Sequence, residues 1–233
     1  MKAPILLLLL KQDQIPMKST TRALKEWNVA VNALETGKTI VLLRKGGIRE
    51  QAGQFNVADK QVLLYPTFEH QQPDLLKPDF ASQVKTVESG WHPEIIRIGS
   101  WAEITDVFLV AWEPAITALF AYHIWNKIFV GDRLKWKQNQ PIYILLLRAY
   151  RLAETVEIPY ISAYGGCRSW IDLASPISLE GSEAVLGDRE YIERSNEIRN
   201  LMANPPKLEA EDRAVETASI QTKPTSQGLN NGR

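Results

Sequence analysis

The apolar run Ile40-Val41-Leu42-Leu43 passes without a linker into Arg44-Lys45-Gly46-Gly47. Such a run suits a strand buried on both faces, and two cations directly after it cannot stay in that core, so the strand must end at the core's edge. Two glycines at that edge can take positive φ and bring backbone N–H groups and basic side chains to one anion. Arg44, Lys45, Gly46, Gly47 and the nearby Arg49 are therefore candidate phosphate- or nucleic-acid-binding residues.

The rest of the chain is punctuated in the same way. Leu24, Trp27, Val31 and Leu34 recur at spacings of three and four, which predicts a helix over Arg22 to Glu35 with Thr20 or Thr21 as N-cap and Gly37 as its stop. Strands are predicted at Val62 to Tyr65, Ile95 to Ile98, Ile104 to Val110, Leu134 to Lys137 and Ile142 to Tyr150. The apolar stretch Phe108 to Trp125 approaches the length of a membrane span, but Glu113 and Pro114 interrupt it. Pro114 instead suits the first turn of a buried helix reaching Asn126. Val130 to Arg133 reads as a turn, Tyr164 to Trp170 as a glycine-bearing loop, and Asp188 to Met202 as a closing helix.

At 233 residues with 45% hydrophobic content the chain can build one large core. Residues 1–20 read as an N-terminal extension with Met17 as an alternative start, 21–204 as a single α+β domain, and 205–233 as a disordered polar tail. Lys plus Arg and Asp plus Glu both total 27, so attraction to a polyanion must come from a local patch. The single cysteine, Cys167, allows no internal disulfide and is compatible with a cytoplasmic setting. No membrane association is expected.

Several chemistries are missing their signatures. No Asp-x-Lys or Glu-x-Lys triplet is present to hold a metal and a water as restriction-type nucleases do, and neither Gly-x-x-x-x-Gly-Lys-Ser/Thr nor Gly-x-Gly-x-x-Gly occurs. The three histidines form no paired ligand motif, so no metal and no cofactor are expected. Glu69-His70 is the one adjacent acid and imidazole, suited to general base work. Cys167 beside Arg168 in a glycine loop is a candidate nucleophile. Arg133, Lys135 and Trp136, with Lys127 and Lys137, form a second basic cluster in which an aromatic face accompanies the charge, the combination used to hold a base and its phosphate. Tyr65 is a further stacking candidate.

Three blocks, Ala23-Leu24-Lys25-Glu26-Trp27, Leu42 to Ile48, and Leu64-Tyr65-Pro66-Thr67-Phe68-Glu69-His70-Gln71, together resemble a bacterial family, the domain of unknown function numbered 1802, frequent in cyanobacteria. The resemblance covers Arg22 to about Leu173. Because some members are joined to restriction-endonuclease-like domains, it implies a link to DNA restriction or defence and such a protein as partner. A second resemblance, to the PUA-like and ASCH barrels that bind RNA or modified bases, rests on Gly37, Lys38, Arg44 and Gly131-Asp132, with Leu42 where the pattern has glutamate.

The expected architecture is α+β, a mixed and largely antiparallel sheet flanked by helices, with a partly closed PUA-like barrel as its variant. The leading expected function is a non-catalytic module that binds DNA or RNA. The alternatives are a small-molecule or phosphoester hydrolase using Glu69 and His70, and a structural or assembly protein. Convergence of Arg44, Glu69, His70 and Cys167 in one concave site would point toward an enzyme, and an open basic groove toward simple binding.

Overall fold

The computed structural model describes residues 6–7, 18–45, 57, 59–136, 138 and 140–205. It is α+β, built on one mixed, mostly antiparallel sheet that does not close. In chain order the elements are β1 (Leu6–Leu7), β2 (Ser19–Trp27), α1 (Asn28–Glu35), β3 (Val41–Arg44), β4 (Gln61–Thr67), α2 (Pro78–Ala81), β5 (Ile95–Val110), α3 (Glu113–Ala118), α4 (Lys127–Lys135), β6 (Ile142–Pro159), β7 (Trp170–Ser178), β8 (Glu183–Ala184) and α5 (Asp188–Ala203). The strand order is β3-β6-β5-β4-β2-β7, with β1 added to β5 and β8 to β6. Among the described residues, β2 and β4 are the one parallel pair.

The sheet's centre is the long hairpin of β5 and β6, in register from Ile95 opposite Pro159 to Val110 opposite Ile142. Register shifts bend it, one where Gly99 of β5 faces the stretch Leu152 to Thr155 of β6 and one where Thr105 is the extra residue, since extra residues on one strand kink the pair and raise its twist. The two faces of the sheet carry separate cores. On one side Leu24, Leu42, Leu64, Ile104 and Leu145 pack with α1 and α5; on the other Ala23, Leu63, Tyr65, Ile98 and Ile171 form a second cluster. Neighbours such as Ala23 and Leu24, or Leu63 and Leu64, thus point into different cores. Each fully buried leucine contributes about 1.5–3 kcal/mol.

Several expected elements come out differently. Residues Arg22 to Trp27 form the end of β2, not a helix; paired with β4 on one side and β7 on the other, they bury both faces, and a two-sided strand shows no alternation to read. The helix expected from Pro114 to Asn126 breaks after Ala118: α3 is followed by a 3₁₀ turn at Phe120–Tyr122 and a bridge from Trp125 to Leu76. Residues Val130 to Lys135, expected as turn and strand, belong to α4, started by Asn126, whose side chain accepts the Phe129 N–H at 3.1 Å. The strands at Ile95 to Ile98 and Ile104 to Val110 are one continuous strand, because the first bulge absorbs Gly99.

The barrel variant does not form, since β3 and β7 remain sheet edges. Side chains nevertheless bridge the opening: Arg44 at the end of β3 reaches Glu26 on β2 at 2.7 Å and Ser169 before β7 at 2.5 Å. No helix among the described residues is long and apolar enough to cross a membrane.

Candidate functional site

A cleft of about 640 Å³ lies where the ends of β2, β3 and β4, helix α4 and two loops meet, within the size range of small-ligand sites. Arg44, Lys45, Glu69, His70, Cys167, Arg133, Trp136 and Tyr65, inferred from separate stretches of sequence, all line it. Lys135 and Lys127 lie on α4 but not in the lining, exposed to solvent. Gly46, Gly47, Arg49 and Lys137 lie outside the described residues.

The walls are aromatic. Trp125 stacks on Phe129 at 5.1 Å and Trp27 meets the same ring edge-on at 6.3 Å. Across the cleft, Phe68 and Trp91 pack edge-on at 5.9 Å, His92 stacks on Tyr160, and Tyr65 meets Tyr164 edge-on. Tyr65 is almost wholly buried, and its hydroxyl has no hydrogen-bond partner among the described residues. Burial pushes that hydroxyl far above the usual phenol range, with Tyr160 and Tyr164 adding to the shift.

The charges have different jobs. Arg44 is the strut between Glu26 and Ser169 described above, with only 17% of its side chain exposed. Lys45 is buried, and its Nζ donates to the carbonyl oxygens of Arg133 at 2.6 Å and Leu134 at 3.5 Å. It thereby secures carbonyl groups that the end of α4 leaves without helical partners. Lys25 is also buried and donates to Tyr164 O at 2.5 Å and Gly166 O at 2.9 Å, holding the glycine loop in place. Burial, and next the Arg168 charge, hold its ammonium below the ordinary lysine range; Cys167 and Glu69 oppose that. Arg168 donates to Ala163 O at 2.6 Å and Gly165 O at 3.3 Å.

Arg133 stands apart. Its guanidinium lies over the rings of Phe129 at 4.9 Å and Trp136 at 5.9 Å, and among the described residues no carboxylate reaches it at ion-pair distance. Burial, then repulsion from Arg44, pull its pKa down while Glu26 pulls it up.

Glu69 and His70 sit on the turn that leaves β4. Glu69 Oε1 accepts the Gly90 N–H at 2.6 Å and the Ser89 hydroxyl at 3.3 Å, and lies 3.1 Å from His70 Nε2. The Gly90 N–H holds this carboxyl below the usual range against the opposing effect of burial, with His70, the Ser89 hydroxyl and the Lys25 charge adding in that order. His70 is the one non-glycine residue with positive φ, 64°, among those described. Gln71 anchors the turn by accepting the Val29 N–H at 3.0 Å, an amide in the first turn of α1. Cys167 is exposed on the opposite loop. No cluster of three or more His, Cys, Asp or Glu residues arranged to hold a metal occurs among the described residues.

The family model of the domain of unknown function DUF1802 matches residues 23–197. The chain belongs to this family. The DUF1802 match contains every residue that lines the cleft, from Lys25 to Ser169. No curated protein and no solved structure matches the chain.

The sequence reading missed Lys25 and Glu26, because it placed them on a helix, and the loop aromatics Trp91, His92 and Tyr160. A usable signal for the first two was Thr20-Thr21 just upstream, β-branched residues that favour a strand. For the aromatics no local signal exists, since they reach the cleft only through the β5–β6 pairing.

Proposed function

We propose that this cleft binds one nucleotide unit, its base against the aromatic walls and its phosphate on Arg133. The observation that carries the reading is a charge imbalance inside an aromatic site. Among the described residues five cations, Lys25, Arg44, Lys45, Arg133 and Arg168, line the cleft against two carboxylates, Glu26 and Glu69, in a chain whose formal net charge is zero. A desolvated guanidinium without a counter-charge is costly unless an anion completes it, and stacking of a base on an aromatic ring contributes about 1–3 kcal/mol. Arg44 and Lys45, also expected to hold phosphate, line the same cleft and brace its walls through Glu26, Ser169 and the end of α4.

The same ligand chemistry is offered by a single-stranded or base-extruded nucleic acid and by a free nucleotide. A cleft of this size admits one nucleotide and not a duplex, so nucleic acid would enter it with one base turned out. Such a module could present nucleic acid to a restriction-endonuclease-like partner, the association implied by the family resemblance. Tryptophan fluorescence titrations with single-stranded DNA, single-stranded RNA, duplex DNA and mononucleotides, at two salt concentrations, test the reading. Binding of single strands that weakens with salt supports a nucleic-acid source; equal binding of mononucleotides assigns the site to a free nucleotide. No binding tighter than millimolar in any arm contradicts the proposal.

A further inference from the structure

Resting on that reading, we infer that the cleft also cleaves a phosphodiester of the nucleotide it holds, with His70 as general base toward water and Glu69 as the residue that positions it. Nε2 faces Glu69 at 3.1 Å, so the carboxylate fixes the ring and its tautomer, and Nδ1 has no partner among the described residues. Glu69 is itself held by Gly90 and Ser89, which keeps the acceptor in place and ionised. The turn bearing the imidazole adopts φ 64°, a left-handed conformation that L-residues disfavour and that glycine or asparagine would tolerate better. Strain of this kind gathers at sites where a side chain must be aimed.

The surrounding charge suits the chemistry. Lys25, Glu69, Cys167 and Arg168 are close enough for Lys25 to feel the other three, and the two cations would stabilise charge developing on the phosphoryl oxygens. In the step, Nδ1 takes a proton from water as the water oxygen bonds to phosphorus. The ester P–O bond breaks, its electron pair leaves with the alcohol oxygen, and that oxygen receives the proton from Nδ1. The products are a phosphomonoester and an alcohol, with no oxidant or reductant involved.

The test uses the full chain and the p-nitrophenyl ester of thymidine 5′-monophosphate, with binding followed by tryptophan fluorescence and cleavage by release of p-nitrophenolate. His70→Asn and His70→Gly both fit positive φ and should fold. Both should lower turnover a hundredfold or more, at affinity unchanged within about threefold. Added imidazole should restore at least tenfold of the loss in His70→Gly, a response that a structural role would not give. Glu69→Gln should lower kcat about tenfold with KM unchanged. An ester that binds but is not cleaved, or a turnover that survives His70→Asn, overturns this inference and leaves the binding proposal standing. An ester that does not bind overturns both.

Discussion

Two buried charge clusters in this molecule are built on opposite terms. Where α5 docks on the sheet, Asp106 at the second bulge of β5 receives Arg199 Nε at 2.9 Å and NH2 at 2.7 Å, while Thr105 and Tyr191 share a 2.6 Å hydrogen bond beside it. Charge and hydrogen bonding are balanced there. Among the described residues, cations outnumber carboxylates in the cleft, and Arg133 rests on aromatic rings with Glu26 near but no carboxylate at ion-pair distance. A matched pair locks one element to another; an unmatched cation in an apolar recess leaves a place for a ligand. The two clusters differ in what each charged group touches and not in residue type, since both are built on arginine and carboxylate.

Breaking the matched pair should have the largest effect on stability. Arg199→Met leaves Asp106, whose side chain is 9% exposed, without its partner, and should cost about 3 kcal/mol, seen as a melting point lowered by about 10 °C. A third buried ionisable group, His123, sharpens the contrast because it avoids charge altogether. Burial, then the Lys77 charge, bring its pKa from 6.5 down to about 4, against opposing backbone groups. A histidine with a depressed folded pKa contributes stability that is present above pH 6.5 and lost as pH falls toward 4, up to about 3 kcal/mol. His123→Leu should remove that loss in urea titrations between pH 7 and pH 4.

Smaller effects are expected within the cleft. Arg44→Met exposes Glu26 to the loss of its partner, but Arg133 stands near enough to take over, so the cost should be only about 1–2 kcal/mol. The double variant Arg44→Met, Arg133→Met should then cost more than the two single changes together, a coupling readable in a double-mutant cycle of denaturation midpoints. Arg133→Met alone should change stability by less than about 0.5 kcal/mol in either direction.

Much of this architecture was legible in the chain. The apolar runs around Val41, Val62, Ile104 and Ile144 are strands, and Asp188 to Met202 is a helix, because each is bounded by residues that end its element. What misled was coincidence of period: Leu24 and Trp27 fit a helical spacing while belonging to a strand buried on both faces. The candidate residues of the site were also legible one at a time. Their union was not, since no spacing in sequence shows that Glu69, Arg133 and Cys167 share a cleft. The partners of Arg44 and Lys45 were hidden for the same reason, as Glu26 and the end of α4 lie far off in the chain.

The central claim is that Arg133 is the ligand's anchor and not part of the scaffold. Calorimetric titration of the full chain and of Arg133→Met with a single-stranded oligonucleotide, across a salt series, tests it directly. Loss of one charge-assisted contact should weaken binding about 10- to 100-fold and flatten the log-log salt slope by about 0.7, with the melting point unchanged. Equal affinity and equal slope for the two proteins would contradict the claim.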